Sequence, residues 1–160
     1  MDNIVISFDE STTSTGYAIF INGELKDYGA FIEKSKNVLE RVSNIMNNIR
    51  DLIEYYSPTD VAIENVQITM SAPTARSLMG LQFMIELLCY QNNIPYTLIR
   101  PSSWRKSLGL SNSPKLKRVD KKKETIEYIK NKYGIDEKID DICDAIAIGE
   151  SYIKENNNKG

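Results

Sequence analysis

Histidine is absent from the 160 residues. No imidazole is therefore available as base, proton shuttle or metal ligand, and any catalysis must run on carboxylates, hydroxyls, amines or a bound metal. Cysteine occurs only at Cys89 and Cys143, too few for a disulfide framework and too far apart for a Cys-x-x-Cys metal site. A reduced, cytoplasmic protein is expected. No apolar run approaches the ~18 residues of a membrane span, and Met1-Asp2-Asn3-Ile4 lacks the basic flank of a secretory signal, so no membrane partner is expected. With 8 glycines and 5 prolines, collagen-like and low-complexity chains are excluded. What remains is an ordinary globular composition, 41% hydrophobic and 26% charged, at a length suited to one domain. That domain is expected over residues 1–153, with a flexible polar tail over 154–160.

The net charge of −2 conceals an asymmetry. Residues 1–99 carry 6 basic and 12 acidic side chains, residues 100–132 carry 11 and 3, and residues 133–160 carry 3 and 7. A solvated surface mixes its signs. A segment of net +8 on an otherwise acidic chain points to a polyanionic partner.

Hydropathy patterning orders the chain. Ile4 to Phe8 is a short apolar run ending at Asp9 and reads as a buried strand. Gly16 to Ile21 and Glu24 to Ile32 flank Asn22-Gly23, a strong hairpin signal. From Val38 the apolar positions recur about every 3.5 residues as far as Tyr56, which predicts an amphipathic helix stopped by Pro58. Asp60 to Glu64 is a second short strand ending in an acid. Pro73 suits the first turn of a helix reaching about Asn92, and Pro95 to Ile99 is a fifth strand. A short helix through Leu108, a basic helix over about 120–132 and a last helix over about 139–153 complete the order. The class is α/β: a five-stranded mixed sheet, βββαβαβ and then C-terminal helices, with helices on both faces.

Four carboxylates carry the chemistry. Asp9 and Glu64 end strands joined by helical crossovers, and if those strands are neighbours the two acids emerge side by side, where open α/β sheets place their sites. Asp141 and Asp144 share a helix face, roughly 5–6 Å between Cβ atoms. Asp140 and Asp144 share one too, so spacing alone leaves both pairings open. Each acid also has a plain structural explanation: strand-end aspartates begin turns, and acids at a helix start are favoured by the macrodipole. Together, beside apolar residues, they would repel by about 4 kcal/mol per pair at ~4 Å and an effective dielectric near 20. Such a cluster calls for a cation, and hard oxygen donors without His or Cys favour Mg²⁺ or Mn²⁺.

These residues resemble a known family. Asp9 with its Ser/Thr turn and Thr15-Gly16-Tyr17, then Ile63-Glu64, then Asp141-x-x-Asp144-Ala145-x-Ala147-Ile148, look like the RuvC family of Holliday junction resolvases, most closely its phage-encoded branch. Ala75 to Gln82 and Pro101-Ser102-Ser103-Trp104-Arg105-Lys106 add to the resemblance, which spans Ile4 to about Ile148. It implies an RNase H-like fold, a homodimer and two-metal hydrolysis of DNA phosphodiesters, with two Mg²⁺ or Mn²⁺ ions per site. Carried over by motif, Asp9, Glu64, Asp141 and Asp144 are the metal-binding catalytic acids, and Lys106 and Lys121 are catalytic basic residues. Lys122 is an equally placed candidate for the second. Arg105, Lys115, Lys117, Arg118, Lys122 and Lys123 are expected to join them in holding phosphates without reading bases. Trp104 either stacks on a base or, as we favour, anchors its helix to the core.

The chain also departs from the family pattern. Asn65-Val66-Gln67-Ile68 lacks the aromatic residue that cellular members carry after the glutamate, Asp9-Glu10-Ser11 replaces Asp-Pro-Gly, and the segment before Lys121 is unusually basic. Broad, structure-selective nicking of branched DNA is the expectation. The dimer is expected through the helix over residues 73–91, whose apolar residues exceed one buried stripe. The rival readings are an RNase H-like nuclease acting on RNA or flaps and a catalytically silent branched-DNA-binding protein. An actin-like nucleotide-binding domain needs two lobes, which 160 residues cannot supply.

Overall fold

The computed structural model describes residues 1–67 and 71–160. Its elements run β1 (Ile4–Asp9), β2 (Ser14–Ile21), β3 (Glu24–Ile32), α1 (Val38–Tyr56), β4 (Asp60–Glu64), α2 (Ala72–Gln91), β5 (Tyr96–Ile99), α3 (Pro101–Ser107), α4 (Arg118–Tyr133) and α5 (Asp140–Asn157). The strands form one sheet in the order β3-β2-β1-β4-β5. β1, β2 and β3 are antiparallel, whereas β4 is parallel to both β1 and β5. The mixed sheet expected from the hairpin and the helical crossovers is the one observed.

Local chemistry sets the element ends. Asn22 and Gly23 both take positive φ, 52° and 82°, the left-handed pair that a two-residue hairpin requires. The Asn37 side chain accepts from the N–H groups of Leu39 and Glu40 and caps α1, while Ser57 closes that helix in the left-handed region just before Pro58.

β1 is central, and its alternation divides the core. Ile6 and Phe8 face α1 and α2, joining Ile45, Ile49, Ile63, Leu81 and Ile85. Val5 faces α3, α4 and α5, joining Trp104, Ile129, Ile142 and Ile146. Every second residue of one strand thus belongs to a different layer.

α5 lies very close to the sheet. A Cβ built on Gly149 would fall 2.6 Å from Ser7 Oγ, and one on Gly16 would fall 2.0 Å from the Asp141 carbonyl oxygen. Ser7 Oγ donates to the Ala145 carbonyl at 2.6 Å, a further tie between β1 and this helix.

Two helices extend beyond the ends read from the sequence. The polar segment from Lys154 remains helical to Asn157, because Lys154 Nζ donates to the Ser107 carbonyl and Ser107 Oγ to Glu155. α4 begins two residues ahead of the expected Asp120, which places Arg118 on its first turn. Among the described residues no helix is long and apolar enough to cross a membrane.

Candidate active site

β1 and β4 run in parallel with Phe8 opposite Ile63, so the next residues, Asp9 and Glu64, leave the same edge of the sheet as neighbours. α5 crosses above them. Its first turn abuts Gly16, the β2 partner of Asp9, and this contact sets Asp141 over Asp9. The Thr-Gly-Tyr motif therefore has a physical reason: any side chain at position 16 would push away the helix start that carries an acid. Asp144 lies one turn further along the same face.

The four acids feel one another. Asp9 is held well above the ordinary aspartate range, first by burial and then by the charges of Glu64, Asp144 and Asp141. Burial and the charges of Glu64, Asp140 and Asp141 push Asp144 to about 8. Asp141 is raised by burial and by Asp140. Glu64 is raised by burial, against the pull of a hydrogen bond from Trp104.

The donor set fits a hard divalent cation. The acids offer oxygen ligands without nitrogen or sulfur, and their raised values mark an excess of negative charge that a cation would relieve. As they stand, no three of the His, Cys, Asp or Glu side chains among the described residues enclose a common point at ligand distance. An ion would have to draw the carboxylates together.

The acids line one wall of a cleft of about 590 Å³. Arg118, Lys121, Lys122 and Thr125, from the first half of α4, supply the basic wall of the same cleft. Arg118 lies near enough to Glu64 to lower its proton affinity. Lys122 is ion-paired with Asp140, whereas Asp141 has its backbone fixed against Gly16.

Two of the expected phosphate contacts, Arg105 and Lys106, are placed differently from the cations of α4. Arg105 is buried, 5% exposed. It donates to the carbonyls of Ser111 and Lys121 and to Thr125 Oγ1, and it pairs with Glu124. It lines the cleft, and its guanidinium is engaged in holding α3 against α4. Lys106 is exposed and outside the cleft lining. Two residues are roughly 200° on a helix, so with Trp104 facing inward Lys106 turns outward. Lys115, Lys117 and Lys123 are exposed around the basic wall without lining it.

Other features went unseen in the pattern of the chain. Trp104 does anchor α3, at 3% exposed, but its Nε1–H also donates to Glu64 Oε2 at 2.8 Å. Glu10 lines the cleft although it is 7% exposed, with Oε2 buried and lacking a hydrogen-bond partner. Its departure from the family pattern at that position was the one signal for it. Gln82 on α2 accepts from the Val66 N–H at 2.7 Å and steadies the segment after Glu64. Ile68, in the stretch that lacks the aromatic residue, falls outside the described residues.

Comparison with known proteins gives a consistent result. The family model described as Lactococcus phage M3 protein matches residues 1–154. A crossover junction endodeoxyribonuclease RuvC from Synechocystis is 30% identical over 152 residues, covering 89% of this chain and 86% of the relative. Among solved structures, RuvC of T. thermophilus in complex with Holliday junction substrate superposes with a TM-score of 0.78 at 15% identity, covering 97% of this chain and 96% of that one. The Fowlpox virus resolvase, in complex with Holliday junction DNA, gives 0.62 at 20% identity, covering 95% and 97%. The shared architecture is RNase H-like.

Proposed function

This chain belongs to the RuvC family of crossover junction endodeoxyribonucleases and to the Lactococcus phage M3 protein family, and from that premise we propose that it nicks branched DNA at the cleft between α5 and α4. The observation that carries this reading is the convergence of Asp9, Glu64, Asp141 and Asp144 on one wall of a cleft whose other wall is basic. An acidic wall without a basic one would repel a phosphate. A basic wall alone would bind DNA without cutting it.

Mg²⁺ or Mn²⁺, two ions held by these four acids, would supply Lewis-acid activation of the attacking water and of the departing 3′ oxygen. The protein's own groups do the rest. Arg118 and Lys121 face the acids across the cleft and offset charge on the scissile phosphate. Lys106, turned outward on α3, and Lys115, Lys117 and Lys123, exposed around α4, hold flanking backbone. Lys122 stands between the two roles through its pair with Asp140. Arg105 fixes the helix that carries these cations.

A four-way junction needs two opposed cuts, which a two-fold dimer supplies. α2 favours such a pairing. Met79, Phe83 and Leu87 recur every fourth residue on its outer side and are 46%, 67% and 45% exposed, while Leu81, Ile85 and Leu88 are buried on its inner side. We assign the homodimer to that outer stripe. We place the end of the compact unit at the end of α5, near Asn157.

The test is Mg²⁺-dependent cutting of an immobile four-way junction, with sites mapped on all four strands and matched flap and RNA–DNA hybrid substrates alongside. Paired, opposed nicks in the junction support the assignment. Preferential cutting of the hybrid or flap would move the protein to another RNase H-like activity. Tight junction binding with no metal-dependent nicking would make it a binding protein only.

A further inference from the structure

We propose that Trp104 is a positioning residue for the metal site, fixing Glu64 through its indole N–H so that the carboxylate is held ready for a cation. The inference rests on the reading of Glu64 as a metal ligand. Three observations carry it. Trp104 Nε1–H donates to Glu64 Oε2 at 2.8 Å. The ring is 3% exposed and packed in the core beneath the cleft, among the α5 residues Ile142, Ile146 and Ile148. The neighbouring Arg105 ties the same short helix to α4 through Lys121, Thr125 and Glu124 and to the connecting loop through the Ser111 carbonyl, so the helix that carries the indole is itself held in place.

The chemistry of the donor makes the contact specific. An indole nitrogen donates and cannot accept. A hydroxyl or amide in its place could reverse its hydrogen bond; Trp104 presents a donor to Glu64 in every state of the site. A buried N–H also requires a partner, so the bond is held from both sides. Glutamate has three side-chain torsions, and with Oε2 engaged most of that freedom is removed before an ion arrives. The remaining oxygen, Oε1, is left for the cation. Partners of this kind behind metal ligands typically support metal affinity or activity by about 10–100-fold.

Trp104 is the only tryptophan in the chain, so its fluorescence reports on this one contact. Three measurements on the DNA-free protein form the test. Mn²⁺ binding is followed by electron paramagnetic resonance of the free ion, for wild type, Glu64→Gln and Trp104→Phe. Mg²⁺ is titrated against the wild-type indole emission. Melting curves establish that each variant folds. Trp104→Phe keeps the aromatic ring and removes the N–H, and we expect Mn²⁺ affinity to fall about tenfold or more. Its nicking should recover at higher Mg²⁺, with a raised metal requirement and a largely retained maximal rate; a purely structural role would lower the rate without shifting the metal midpoint. Wild-type Mn²⁺ affinity in Glu64→Gln would overturn the reading of Glu64 as a ligand. Weakened binding in Glu64→Gln with wild-type affinity in a folded Trp104→Phe would overturn the role of Trp104 alone. If Trp104→Phe does not fold, the Mg²⁺ titration decides: a change in indole emission that is lost in Glu64→Gln supports the proposal, and an emission unmoved at saturating Mg²⁺ refutes it.

Discussion

Asp144→Asn should make the protein melt higher in chelator, although most point substitutions lower stability. Burial and the neighbouring acids push Asp144 from an ordinary value of 3.8 to about 8. That rise of roughly four units corresponds to about 5–6 kcal/mol of disfavoured ionisation at high pH. Asp9 and Glu64 share in the same repulsion and relax when one charge leaves, and the new amide must still be buried at about 1–3 kcal/mol. A net gain of about 2 kcal/mol is expected, or about 4–8 °C in Tm for a chain of this size. The sign with pH follows from the direction of the shift. Below about pH 4 the acid is protonated in both the folded and unfolded protein, so the variant has no advantage. As pH rises the unfolded chain ionises first and wild type loses stability until about pH 8, above which the difference is constant. Calorimetric melts in EDTA at pH 4, 6 and 9 should therefore show the two curves separating. Adding Mg²⁺ should raise the wild-type Tm, by about 2.7 kcal/mol equivalent at a hundredfold excess over Kd, and the variant less, so that the curves converge. A variant melting below wild type at pH 9, with an equal response to Mg²⁺, would refute the convergence of acids and leave Asp144 as an ordinary residue of the first turns of its helix.

Three further outcomes are expected. Asp9→Asn, Glu64→Gln and Asp141→Asn should each abolish nicking while junction binding, followed by gel shift, stays within a few-fold; Asp140→Asn should still cut, and retained cutting in any of the first three removes that residue from the site. Neutralising Arg118, Lys121 and Lys123 should reduce the log–log salt slope of DNA binding by about 1 for each phosphate that is no longer neutralised, and an unchanged slope would turn this wall away from DNA. Arg105→Leu should lower stability by about 3 kcal/mol, since it strands Glu124 and several carbonyls, yet leave the salt slope of the folded protein unchanged; a slope reduced as far as by one of the cleft cations would return Arg105 to the DNA surface.

The strand-end acids were legible because β alternation and chain order determine where such residues emerge, whatever the packing around them. Asp9 and Glu64 needed only that β1 and β4 be parallel neighbours. The different settings of Asp140 and Asp141 were not legible from spacing, because they depend on Gly16 backing onto α5 and on Lys122 reaching Asp140, contacts between residues more than a hundred and about twenty positions apart. Arg105 shows a limit of charge patterning. A basic run reports how many cations a segment holds and says nothing of which one folds inward, and here the inward one sits beside Trp104, whose burial was anticipated. The polar stretch from Lys154 looked like a fraying end because its partners, Ser107 and its carbonyl, lie on α3. Glu10 escaped notice for the opposite reason: on a strand the residue after Asp9 belongs to the other face, and only beyond the sheet edge does its side chain come back to line the cleft.

The two glycines under α5 have a mechanical consequence. At Gly16 the start of the helix meets the sheet backbone to backbone, and at Gly149, more than two turns along, the helix leaves room for the side chains of Ser7 and Phe20. A rod seated at two separated points resists sliding and pivoting over the sheet. α4 is fastened to α5 in turn, since Tyr128, Lys132 and Tyr133 all reach Glu150 and Ile129 is fully buried in the core they share. The acids on α5 and the cations on α4 therefore share one footing, and the distance between them is set where α5 meets the sheet.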